Sequence, residues 1–65
     1  MKILLYDHII QHDLTFRQVA ELTGIPRSTV SDIANGKTSP TMNQMEKLAA
    51  GLQITISDLF ESDYK

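Results

Sequence analysis

The chain contains no cysteine and no tryptophan, and only two phenylalanines and two tyrosines. Without cysteine, disulfides and thiolate metal centres are excluded. No apolar run approaches the roughly 18 residues of a membrane span, so no membrane association is expected. The amino end lacks the basic, apolar, small-residue layout of a secretory signal; its apolar stretch is only Ile3 to Leu5. A cytoplasmic protein is the expectation. An excess of positive charge is also missing. The net charge is −2 and the isoelectric point about 5.4, which argues against a polycation that coats nucleic acid without selectivity. Proline and glycine are scarce, with two and three copies, so each one punctuates the chain.

What remains is 65 residues, 42% hydrophobic and 22% charged, the composition of a globular chain. This length predicts a single domain over residues 1–65. So short a chain has little core to offset ordering entropy, and must rely on good caps and packing or on a partner subunit. The charge is uneven. Residues 1–14 sum to −1, residues 15–41 to +1 and residues 42–65 to −2, so only the middle is positive.

Helix starts are dense. Thr15 with Gln18 three residues on reads as a capping box, with Leu14 stapling to Val19. Thr41 with Gln44 and Thr55 with Asp58 repeat the pattern, Ile54 and Leu59 forming another staple. Gly24 and Asn35-Gly36 read as stops. No strand pattern of useful length is present, Ile54 to Ile56 being too short. The expectation is an all-α, compact five-helix bundle with helices near residues 3–12, 16–23, 27–34, 42–52 and 56–61, and a frayed tail at 62–65. The predicted core holds Leu5, Ile9, Leu14, Val19, Ala20, Leu22, Ile25, Val30, Ile33, Ala34, Met45, Leu48, Ala49, Leu52, Ile54, Leu59 and Phe60.

Helices 2 and 3 are joined by Gly24-Ile25-Pro26 alone. A short glycine-containing turn between short helices is the helix-turn-helix signature, here over about residues 16–35. Removing the apolar face of helix 3 leaves Arg27, Ser28, Ser31, Asp32 and Asn35 on one surface, since 27/31 and 28/32 are i, i+4 pairs. Such a surface fits the roughly 12 Å major groove of DNA.

The string LTFRQVAELTGIPRSTVSDIANGK, from Leu14 to Lys37, followed by SPTMNQMEKLAAGLQITISDLF, resembles the Cro and phage-repressor-type (Xre) helix-turn-helix family along most of the chain. The resemblance implies a five-helix domain that binds double-stranded DNA, usually as a homodimer on a palindromic operator. It places base-reading positions on Arg27, Ser28 and Asp32, with Thr29 and Ser31 alongside. Arg27 suits the O6 and N7 of guanine. Asp32 either meets a cytosine amino group or stays solvated and tempers non-specific binding. Phosphate positions fall on Asn35, Gly36, Lys37 and Thr38, through N–H groups and the lysine charge, and on Thr15, Phe16 and Arg17 at the start of helix 2. Three departures stand out. Phe16 replaces a glutamine common in the family, whose phosphate-binding task passes to backbone amides or Arg17. Ile9 and Ala34 replace a common Arg–Glu pair. Gln53 stands where many members have glycine.

Ile54, Ile56, Leu59, Phe60 and Tyr64 offer more apolar surface than one short helix hides, and are the expected dimer interface. His8 and His12 have metal-capable spacing, but Ile9 follows His8 and no second cluster completes a coordination sphere. They read as surface or half-buried histidines. Ser28, Thr29 and Ser31 lack a nearby histidine and acid. No catalytic residue, metal or cofactor is therefore expected. The functional expectation is a transcriptional regulator, a repressor or autoregulator of phage-like or antitoxin-like kind, with a small activator as a third role that the sequence leaves open. The alternative is a protein adaptor of the same fold, which the acidic balance permits. A protein partner such as a toxin has no signature in these residues.

Overall fold

A computed structural model describes residues 1–65. The chain forms four α-helices, α1 Leu5–Gln11, α2 Phe16–Thr23, α3 Arg27–Ala34 and α4 Met42–Leu52, of which α2 and α4 begin at the capping boxes read in the sequence. At the start of α2, the Gln18 N–H donates to Thr15 Oγ1 (3.0 Å) and the Thr15 N–H to Gln18 Oε1 (2.8 Å). Thr41 and Gln44 make the same reciprocal pair ahead of α4, at 2.9 and 3.1 Å. Each box satisfies two helix-start donors that have no partner in the helix. Gly24 ends α2 with φ 78°, its N–H donating to the Ala20 carbonyl at 2.9 Å. α4 ends at Gln53, which takes the left-handed φ of 58° although it carries a side chain.

The five-helix expectation is corrected at both ends of the chain. Residues 56–61 do not form a fifth α-helix. Ile56–Leu59 make one 3-10 turn, held at its start by the Thr55 N–H on Asp58 Oδ2 at 3.0 Å. Phe60 then swings to extended backbone, φ −150° and ψ 156°. It begins β2, Phe60–Glu61, which pairs antiparallel with β1, Lys2–Ile3. The first helix is accordingly shorter than residues 3–12. Lys2 pairs with Glu61 and Ile3 with Phe60, and the Leu4 N–H donates to the Leu59 carbonyl at 2.8 Å. Residues 2–4 thus satisfy their backbone across the chain rather than in a helical turn. Residues 62–65, expected to fray, form a turn. The Tyr64 N–H reaches Ser62 Oγ (3.1 Å) and Lys65 Nζ donates to the Phe60 carbonyl (3.0 Å).

Ten residues are buried, all apolar: Leu5, Ile9, Val19, Ile25, Val30, Ile33, Met45, Leu48, Ala49 and Leu59. Leu14, Ala20, Ala34, Leu52, Ile54 and Phe60 are half-buried around them. Leu22 does not belong to the core and is 55% exposed. The inner stripe of α2 runs through Phe16, Val19, Ala20 and Thr23, and Leu22 falls beside it. α2 packs chiefly on α4 and α3. Gly51 makes the first contact possible: a Cβ there would lie 2.5 Å from the Leu22 carbonyl oxygen and 2.8 Å from Thr23 Cγ2.

Candidate nucleic-acid interface

The turn between α2 and α3 is fixed from both sides. Ile25 is buried in the core and pins the turn from below. Thr23 Oγ1 donates to the Val19 carbonyl at 2.7 Å and accepts the Ile25 N–H at 3.2 Å. One hydroxyl therefore closes the last turn of α2 and satisfies the only free donor of the turn core. Thr23 is a residue of this site that the helix caps and apolar spacing do not single out. The readable signal is a hydroxyl directly before the helix-ending glycine, where Ser and Thr bond neighbouring backbone groups.

α3 is anchored by Val30 and Ile33, which are buried. Its other face carries the expected polar ridge. Arg27, Ser28 and Asn35 are exposed, and Thr29, Ser31 and Asp32 half-buried. Asn35 Nδ2 donates to Ser31 Oγ at 3.2 Å, so these two act as one unit. No side chain caps the start of α3, leaving its first amides free for an outside acceptor.

The starts of α2 and α3 converge on an open cleft of about 490 Å³ lined by Thr15, Phe16, Arg17, Arg27, Ser28 and Ser31. Three residues expected at phosphates and three expected at bases are thus brought together. Thr29, Asp32 and the loop after α3 lie outside this cleft. The phenyl ring of Phe16 packs half-buried against the core, so Phe16 faces an anion only with its backbone. Its N–H and that of Arg17 occupy the first two helical positions, which have no acceptor in the helix. Arg17 Nε lies 3.4 Å from Glu21 Oε1. Arg27 and Lys37 have no carboxylate partner.

The loop after α3 differs from expectation in its amides. The N–H groups of Asn35, Gly36, Lys37 and Thr38 donate to the carbonyls of Ser31, Ile33, Asp32 and Asp32, at 2.9, 3.2, 2.8 and 3.4 Å. Those donors are engaged within the chain. What the loop offers a phosphate is the exposed Lys37 side chain and the Thr38 hydroxyl.

The residues expected at a dimer interface separate. Leu59 is fully buried in the core and offers nothing to a partner. Ile56 and Phe60 line a shallow apolar groove of about 310 Å³ with Met1, Ile3, Pro40, Met42, Met45 and Ser57. Ile54 lies in a different groove, beside Leu14, Leu22, Leu52 and the two histidines. Tyr64 is 98% exposed. His8 and His12 stack with ring centroids 4.2 Å apart. Burial holds the His8 pKa below its ordinary 6.5, the neighbouring His12 adds to this, and Asp58 opposes it.

A family model described as helix-turn-helix matches residues 6–59. The chain is also similar to "Control protein C.MunI" from Mycoplasma sp., at 40% identity over 48 residues, 74% of this chain and 65% of that protein. The chain therefore spans just under two thirds of the length of that relative. No solved structure matches. The match of the family model along most of the chain agrees with the capped α2, the fixed turn and the outward face of α3, and the chain belongs to the helix-turn-helix family.

Proposed function

We propose that this chain is a sequence-specific binder of double-stranded DNA that regulates transcription, with α3 seated in the major groove. The observation that carries the reading is the cleft in which Arg17 and Arg27 meet at the starts of α2 and α3. Two guanidinium groups beside outward-facing helix starts suit a polyanion, while the polar ridge of α3 suits base edges. The similarity to a control protein supports a regulatory role. A domain filling the groove at a promoter excludes other proteins there, which favours a repressor or autoregulator.

In this reading Arg27 bridges O6 and N7 of a guanine, worth about 1–3 kcal/mol of discrimination. Ser28 and Ser31 flank it, with Thr29 and Asp32 at the ridge margin. The backbone N–H groups of Phe16 and Arg17 and the Lys37 side chain hold phosphates, with the hydroxyls of Thr15 and Thr38 and the Asn35 side chain alongside. The Thr15 and Gly36 amides stay engaged within the chain. The molecule measures 31 × 23 × 22 Å, less than the roughly 34 Å between successive groove faces. One copy therefore reads one half-site, and a palindrome requires two. The apolar groove at Ile56 and Phe60, with Met42 71% exposed beside it, is the proposed seat of the second copy.

Binding to a duplex should weaken steeply as salt rises, through counterion release. Retention of a protein ligand with no salt-dependent DNA binding would instead establish the adaptor role that a net charge of −2 allows.

A further inference from the structure

Arg17 faces two ways. It lines the cleft between α2 and α3, and its Nε lies 3.4 Å from Glu21 Oε1, one helical turn along the outer face of α2. Glu21 is not part of the cleft wall. The contact is a single long hydrogen bond between side chains that are 78% and 68% exposed. Such a pair is weak and breaks readily, so it does not hold Arg17 rigidly for a ligand. Its effect is on charge. Arg27 and Lys37, the other two cations of this surface, have no carboxylate partner.

We infer that Glu21 acts as a damper on sequence-independent DNA binding by competing with phosphate for Arg17. This rests on the DNA-binding reading above. Moving the Arg17 guanidinium to a phosphate requires giving up its contact with Glu21, so part of what Arg17 gains at the phosphate is lost at the carboxylate. Arg17 therefore adds less than an unpaired arginine to the salt-dependent drive that governs non-specific affinity. Arg27 keeps its full charge for base recognition, and the balance between selective and unselective binding moves toward the former.

The test uses the full chain and a random-sequence duplex of fixed length, with affinity followed across a salt series. Glu21→Gln should bind roughly two- to five-fold tighter at low salt, the range such an exposed pair is worth. Its log–log salt slope should be steeper than that of the wild type, by less than the roughly 0.9 of a whole phosphate contact. In an Arg17→Gln background the same change at Glu21 should leave the slope nearly unaltered. Unchanged slope in Glu21→Gln, weaker binding by that variant, or an equal change in both backgrounds would overturn the inference. Weaker binding would mean that Glu21 positions Arg17. Wild-type chain that shows no salt-dependent binding to any duplex would overturn the DNA reading itself, and this inference with it.

Discussion

Gln53 ends α4 in the left-handed region, φ 58°, where a Cβ crowds the backbone and glycine is favoured. Gln53→Gly is expected to stabilise the fold by about 0.5–1 kcal/mol, read as a higher urea midpoint with an unchanged slope. A lower midpoint would show that the side chain does more than tolerate the turn. His8 makes a second residue-scale prediction. Its pKa is held below 6.5, chiefly by burial. The folded chain therefore binds this proton less readily than the unfolded chain, and stability is lost as pH falls through 6.5 toward the folded value. Urea midpoints measured across that range should drop for the wild type, and the drop should shrink in His8→Gln.

At the level of elements, what the sequence made readable was local. The Thr15 and Thr41 boxes, the Gly24 stop and the outward ridge of α3 depend on residues three or four apart, and all appear in the structure. The missing parts were non-local. Lys2 and Ile3 pair with Glu61 and Phe60 at the other end of the chain, and no period or cap encodes that meeting. Thr55 and Asp58 did signal a helix start, but a first turn looks alike in 3-10 and α form; the extended Phe60 decides it. Leu22 was misplaced because it lies three residues after Val19, although the stripe was already closed by Phe16 and Thr23. In the candidate site, the exposed arginines were readable, whereas the internal use of the 35–38 amides depends on how the loop curls back onto Asp32. Gly51 gives this scale its prediction. Gly51→Ala would push against the backbone at Leu22 and Thr23, and overpacking of this kind costs about 1–3 kcal/mol. Because that backbone leads into the turn before α3, DNA affinity should fall along with the urea midpoint. A variant of unchanged stability would show that α4 can move off α2 freely.

The whole molecule is small and acidic, and three of its six cationic side chains, Arg17, Arg27 and Lys37, lie on α2, α3 and the loop that follows. Its core is apolar throughout, with no buried polar residue, so the polar ridge is not needed to hold the fold and is available for recognition. Sedimentation at micromolar concentration should show a dimer, shifting to monomer in Ile56→Glu or Phe60→Glu; a wild-type chain that stays monomeric at all concentrations and on DNA would exclude the paired arrangement. The central claim is that the ridge beginning at Arg27 reads base edges. Selection of binding sites from a randomised duplex library by the purified chain tests it most directly. The expected result is an enriched two-fold symmetric sequence in which Arg27→Ala loses preference at one position of each half-site, while Lys37→Ala weakens all sequences alike. A library that yields no enriched sequence, or an enriched sequence indifferent to Arg27→Ala, would contradict it.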